Sequence, residues 1–158
     1  MTDASAVEVI PVDVRGPVAR ACLDSYFDEL AVRFPEGYER DADRAAGLDE
    51  YRPPAGEFLV AQISGESIGC GGLRLFSPGI GEIKRMWVAP QARGRGVARK
   101  LLAALELAAR ERRLRMVRLD THSSLAEALQ LYRTSGYREI PRFNDNPYAH
   151  HWFEKALD

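Results

Sequence analysis

The six residues Arg93-Gly94-Arg95-Gly96-Val97-Ala98 stand where a strand ending at Val88 gives way to the segment with the strongest helical spacing in the chain. That segment carries Val97, Leu101, Ala104, Leu105 and Ala108 on one stripe, with Glu106 and Arg110 as an i,i+4 pair on another face. The charges around the turn have the wrong sign for a bare helix. Helix N-termini carry partial positive charge and favour acidic neighbours, yet Arg93, Arg95, Arg99 and Lys100 crowd this one. A bound anion resolves the conflict. Unpaired N–H groups at a helix start form an anion site, and Gly94 and Gly96 let the backbone approach a phosphate with no Cβ in the way. A pyrophosphate suits such a turn; a glycine-rich loop with a solvated basic face is the alternative. The turn is not a Walker A loop, which needs Gly-Lys-Ser or Gly-Lys-Thr, and the dinucleotide fingerprint fails because Arg99 occupies the third glycine's position.

Outward from the turn, Glu82 to Val88 reads as the strand before it and Met116 to Thr121 as the strand after the helix. This connection predicts a parallel pair with a right-handed crossover. Upstream, Phe58 to Ile63 and Ser67 to Phe76 flank Ser64-Gly65-Glu66 as a hairpin, and the break at Ser77, Pro78, Gly79 and Gly81 extends it into an antiparallel meander. Val7 to Val12 is a short strand, and Pro17 opens an amphipathic helix to about Ala31. From Phe34 to Pro54, rich in Asp, Glu, Gly and Pro, only a short helix around Asp41 to Ala46 is expected. Downstream, Ser124 and Glu127 spell an S-x-x-E capping box. The stripe Leu125, Ala128, Leu129, Tyr132 then stops before Gly136, a natural helix end. Tyr137 to Ile140 and His150 to Lys155 are the last strands, around the loop from Pro141 to Pro147. The sum is an α/β (α+β) chain with a mixed, mostly antiparallel sheet of six to seven strands flanked by about four helices.

At 158 residues the chain fits one domain spanning 1–158, and 46% apolar with 28% charged residues argues against disordered, collagen-like and coiled-coil classes. The start lacks a basic stretch followed by an apolar one, and no apolar run approaches the roughly 20 residues of a membrane span, so a cytoplasmic protein with no membrane partner is expected. Cys22 and Cys70 match neither a CxxC nor a zinc pattern and read as isolated structural thiols. A net charge of −1 gives no general pull toward nucleic acid. The three histidines lack metal-ligand spacing, and adjacent His150 and His151 point to opposite faces of a strand, so no metal is expected.

The turn fits throughout the pattern Arg or Gln, any two, Gly, any one, Gly or Ala, by which the sequence resembles the Gcn5-related N-acetyltransferase (GNAT) family. The flanks resemble the family as well: Glu82-Ile83-Lys84-Arg85-Met86-Trp87-Val88 its fourth strand, and Leu131-Tyr132-Arg133-Thr134-Ser135-Gly136-Tyr137 its last helix and exit. The resemblance covers roughly the last hundred residues. It implies that acetyl-CoA is the co-substrate, that the fourth and fifth strands splay to admit pantetheine, and that Met86, Trp87, Val88, Arg93, Gly94, Arg95, Gly96, Val97, Ala98 and Arg99 hold it. A backbone N–H near Met86 to Val88 would polarise the thioester carbonyl. Strand alternation puts Glu82, Lys84, Met86 and Val88 on one face, a mixed set that predicts a local bulge.

Tyr132 matches the family's general-acid position; its spacing from Leu125 also suits the end of an apolar stripe. Glu82 is the first candidate for general base, with Asp120, His122, His150 and His151 behind it; a strand-end Glu is otherwise a solvated residue. Leu125 departs from the family, in which many members carry an Asn that contacts the cofactor. The implied reaction is direct transfer of acetyl to a primary amine of a small molecule or peptide; a non-catalytic acyl-CoA sensor with the same fold is the alternative. A homodimer is open. The acidic run within Asp24 to Glu50 could attract a cationic amine or simply face solvent, and Tyr26, Phe27, Phe34, Tyr38, Tyr51 and Phe143 could wall a pocket or fill the core. Nucleic-acid binding through Arg93, Arg95, Arg99, Lys100, Arg110, Arg112, Arg113 and Arg115 ranks low, since a phosphate turn already employs part of that cluster.

Overall fold

The alternating strands all enter one seven-stranded sheet. The computed structural model describes residues 6–36, 38 and 47–158. In chain order these form β1 (Glu8–Pro11), α1 (Pro17–Arg33), β2 (Glu57–Ile63), β3 (Glu66–Ser77), β4 (Ile80–Val88), α2 (Val97–Glu111), β5 (Met116–Thr121), α3 (Ala126–Thr134), β6 (Arg138–Ile140) and β7 (His151–Ala156). The sheet order is β1-β2-β3-β4-β5-β7-β6, antiparallel except for β4 with β5. Three α-helices lie among the described residues; the helix expected at Asp41 to Ala46 falls outside them.

Alternation in β2 sets the two cores. Leu59 and Ala61 face α2, where Leu101, Leu105, Leu73, Val117 and Phe153 fill one layer. Phe58 and Val60 face α1, against Leu23, Phe27 and Leu30. Cys22 and Cys70, expected to be isolated, both lie reduced in the α1 layer. They are neighbours there: the Cys70 thiol lowers the pKa of Cys22, while burial pushes Cys70 well up.

Two irregularities shape the molecule. The parallel ladder holds only Ile80↔Met116, Gly81↔Val117 and Glu82↔Arg118; beyond Glu82 the strands part. The expected bulge lies in the parted stretch, where the β3–β4 register slips between Cys70↔Trp87 and Gly72↔Lys84. Arg85 absorbs the extra residue at φ 60°, a left-handed conformation that non-glycine residues rarely adopt. The slip resets alternation: Ile83 faces α2 before the bulge, and Met86 and Val88 face it afterwards. Arg85 is instead sandwiched on the α1 side, its guanidinium 5.4 Å from the Phe27 ring centroid and 5.0 Å from that of Tyr51.

The expected capping box is not formed. α3 starts one residue later than that motif requires, with Leu125 at the N-cap and no side-chain cap. The Glu127 carboxylate is drawn away to Arg33 of α1, whose Nη2 donates to Oε2 at 3.0 Å and to the Ser124 carbonyl at 2.9 Å. A charge-assisted, two-pronged contact outcompetes a neutral backbone N–H for the same carboxylate.

Candidate active site

Two cavities open on either side of the parted strands. The first, of about 300 Å³, runs from the Gly94–Gly96 turn along the end of β4 to α3. The second, of about 640 Å³, lies between the end of α1, the β4 bulge and the β6–β7 loop. Both share Tyr26, Leu30, Met86, Leu125, Ala128 and Tyr132 as wall residues, so those side chains form a neck between them.

The turn has the geometry that anion binding needs. Gly94 and Gly96 sit at φ 77° and 80°, Gly96 is the N-cap of α2, and a Cβ placed on Gly94 would meet nothing within 4 Å. The helix's own bonds begin with Lys100 N–H to the Gly96 carbonyl at 3.1 Å, which leaves the N–H groups of Val97 to Arg99 directed outward. Of the ten residues expected to hold the donor, all but Arg95 line this cleft. Arg93 is placed differently from a phosphate ligand: its Nη2 grips both Glu29 oxygens at 2.5 and 2.6 Å and its Nε donates to the Val88 carbonyl at 3.0 Å. Lys100 reaches the Val7 carbonyl at 2.7 Å. The excess positive charge of the turn is therefore partly spent inside the protein. Leu125, where an Asn was expected from resemblance, is an apolar wall of both cavities.

Tyr132 is buried in the neck, packed against Tyr137 and Phe153 at 5.8 and 5.9 Å between ring centroids. No described residue hydrogen-bonds its hydroxyl. Burial, aided by the Asp120 charge, raises its pKa, so the phenol holds its proton throughout the neutral range. The ring thus belongs to the core, and the same residue lines both cavities.

Glu82, the first candidate for a base, is fully buried and lines neither cavity. Oε1 accepts from Arg74 Nε at 2.8 Å; Oε2 accepts from Asn144 Nδ2 at 2.9 Å and lies 3.7 Å from Lys84 Nζ. A base needs an open lone pair beside its proton source, and here both oxygens are engaged. Asp120 does line the second cavity, but it too is engaged, by Asn144, Asn146 and Lys84. Burial works against the Lys84 charge, yet Asp120 and Glu82 outweigh it and raise its pKa. Resemblance to the family points to the loop Arg142 to Tyr148 as part of the acceptor site, but not to Asn144 and Asn146 within it, which pin that loop onto β4 and β5; loop amides carry no periodicity that would single them out.

Glu36, His122 and His150 come together, which their spacing did not suggest. The backbone N–H of Ser124 donates to His122 Nδ1 at 3.0 Å, and that of Ser123 to His150 Nδ1 at 3.2 Å. Each neutral ring therefore carries its proton on Nε2, and His122 uses that proton on Glu36 at 2.6 Å. Rings so fixed do not present Nε2 lone pairs to a metal. The acidic run also resolves: of its described members, Glu50 alone lines the second cavity, and Glu29 the first.

Residues 23–137 match the Acetyltransferase (GNAT) family. The chain belongs to that family. An IAA acetyltransferase of Azospirillum brasilense is 35% identical over 128 residues, covering 80% of this chain and 78% of the relative. The fold is shared with a GNAT acetyltransferase of Staphylococcus aureus, TM-score 0.82 at 18% identity over 97% of this chain and all of the other. It is shared too with a GNAT acetyltransferase of Elizabethkingia anophelis with acetyl-CoA bound, TM-score 0.68 at 20% identity over 97% and 99%. The GNAT chain is thus an acetyltransferase, and membership favours an enzyme over a sensor. Its described helices include none long and apolar enough to cross a membrane.

Proposed function

We propose that this acetyltransferase moves the acetyl group of acetyl-CoA directly to an amine of a small molecule or peptide. The observation that carries the reading is the neck, where a cleft that starts at an anion-binding turn meets a second cavity beside the Tyr132 hydroxyl. A GNAT neighbour holding acetyl-CoA supports the choice of donor.

Acetyl-CoA supplies an activated acyl carbon in a thioester. The N–H groups of Val97 to Arg99, with Gly94 and Gly96, would hold its pyrophosphate. The main chain of Met86 to Val88, which has no strand partner on the β5 side, would hold the pantetheine amides. One N–H in that stretch polarises the carbonyl. The amine nitrogen bonds to the acyl carbon as the C–S bond breaks, the nitrogen loses a proton to solvent, and Tyr132 gives its proton to the departing sulfur. We place Glu82 beneath the acceptor floor as fixed counter-charge to Arg74 and Lys84, a supporting part in place of proton abstraction.

The test is release of CoA from acetyl-CoA by the full chain across a panel of amines, with the acetylated product identified by mass. Acetylated amine appearing one for one with CoA supports direct transfer. A covalently acetylated protein that persists when Tyr132 is changed to Phe, or no acylated amine across the panel, overturns it.

A further inference from the structure

The floor of the second cavity has more hydrogen-bond donors than acceptors. Asp120 Oδ1 accepts from Asn146 Nδ2 at 3.0 Å, and Oδ2 from Asn144 Nδ2 at 2.5 Å and Lys84 Nζ at 3.4 Å. Both Glu82 oxygens are engaged, by Arg74 and by Asn144, as described above. Asn144 Oδ1 takes the indole N–H of Trp152 at 2.9 Å, and Asn146 Oδ1 the backbone N–H of Tyr148 at 3.0 Å. The acceptors of this floor are thus filled by the protein itself. The remaining acids on the wall, Glu50 and Asp145, are exposed, and Glu50 is tied to Arg74.

The donors are not used up. An ammonium has three N–H bonds, and among the described residues Lys84 commits one of them, at 3.4 Å. Arg74 sends Nε to Glu82, Nη1 to Glu50 and Nη2 to Glu82, which leaves two of the five guanidinium N–H bonds. Both side chains line the cavity and both are less than a third exposed. A ligand that satisfies these spare N–H groups must accept hydrogen bonds, and a carboxylate accepts them more strongly than a neutral group does. The opposite wall is aromatic: Phe34, Tyr38 and Tyr148 touch one another with ring centroids 4.6 to 5.7 Å apart.

We propose that the acceptor is a free amino acid with an apolar or aromatic side chain. Its carboxylate sits on Lys84 and Arg74, its side chain lies against Phe34, Tyr38 and Tyr148, and its amine faces Tyr132 at the neck. The proposal rests on the reading of the neck as the point of transfer, and the bonds made and broken are those given above.

Phenylalanine, phenylalaninamide and phenethylamine isolate the carboxylate. With the full chain and acetyl-CoA, phenylalanine should exceed the other two in kcat/KM by more than about tenfold, because a site built to bond a polar group rejects analogues that lack it. Lys84→Gln should remove most of that preference. Separately from turnover, N-acetylphenylalanine should raise the Tm of the wild-type chain, and N-acetylphenylalaninamide should not. Equal kcat/KM for acid and amide, equal effects of the two products on Tm, or no effect of either compound in both assays overturns the proposal. Selective binding of the acid without CoA release keeps the carboxylate site and sinks the transfer reading; CoA release that ignores the carboxylate does the reverse. Should Lys84→Gln fail to fold, the wild-type comparison still decides.

Discussion

Arg33, in the last turn of α1, and Glu127, in the first turn of α3, clasp each other. The clasp joins the two helices. The Arg33 hydrogen bond, assisted by its charge, holds the Glu127 carboxyl below the usual carboxylate range. A depressed folded-state pKa gives stability that is present above the unfolded value and lost as pH falls through the folded one. Glu127→Gln should therefore cost at most about 1 kcal/mol at pH 7, since the pair is partly exposed. That corresponds to roughly 2 to 4 °C in Tm for a chain of this size. The gap between variant and wild type should close as the pH falls below the ordinary Glu range, which thermal melts at a series of pH values would reveal.

Tyr132→Phe should lower kcat by about a hundredfold or more, the usual weight of a positioned proton donor, with KM for acetyl-CoA little changed. The ring packing against Tyr137 and Phe153 survives, and a buried hydroxyl without a described partner is lost, so Tm should hold or rise. Steady-state kinetics alongside a melt separates the two roles of this residue. Unchanged kcat would leave Tyr132 as core alone.

The strands, the crossover at the turn and both helix stripes were legible in the sequence because strands and helices each repeat with a period, two for the strands and 3.6 for α2 and α3, whereas the insertion of β7 between β5 and β6 was not. The bulge was legible for the opposite reason, since the mixed face of Glu82, Lys84, Met86 and Val88 broke the period. What could not be read were contacts set by tertiary competition. Ser124 and Glu127 have the spacing of a cap, and only the approach of Arg33 from a helix over 90 residues earlier takes Glu127 away. Glu82 likewise looked solvent-facing or catalytic until Arg74, Lys84 and Asn144 were brought around it. The glycine turn was clear because it is local; the second cavity is assembled from stretches scattered from Tyr26 to Tyr148.

Two glycines should respond differently to the same added methyl group. In Gly94→Ala the Cβ enters open space, so the cost is confined to the left-handed backbone, about 1 to 2 kcal/mol, and KM for acetyl-CoA should rise. In Gly72→Ala the Cβ would lie 2.7 and 2.8 Å from carbons of the buried Tyr51 ring. Overpacking there should cost about 1 to 3 kcal/mol and displace the ring that stacks on Arg85. Chemical denaturation should rank Gly72→Ala as the less stable variant, and kinetics should show its defect in acceptor KM, not donor KM.

A buried pair behind α2 offers a check on the fold that is independent of the active site. The Tyr137 hydroxyl donates to Glu106 Oε2 at 2.8 Å, while Lys155 Nζ donates to Oε1 at 3.0 Å. Tyr137→Phe leaves one carboxylate oxygen in the core without its donor, so a loss of about 1.5 to 3 kcal/mol is expected with kcat unaltered. Denaturant melts would measure it, and a change under 0.5 kcal/mol would show that the carboxylate finds another donor.

The ladder between β4 and β5 that stops after three pairs leaves a raw sheet edge in the middle of the molecule. Exposed edges invite other chains to add a strand, and proteins usually blunt them with charge, proline or brevity. Here the edge borders the first cavity, whose walls include α1 and α3, locked together through Arg33 and Glu127. Under the proposed function its main-chain groups would serve a thin, flexible chain lying lengthwise, and not a neighbouring polypeptide. On the proposed reading the gap would act as a sieve, admitting by girth where other sites select by shape.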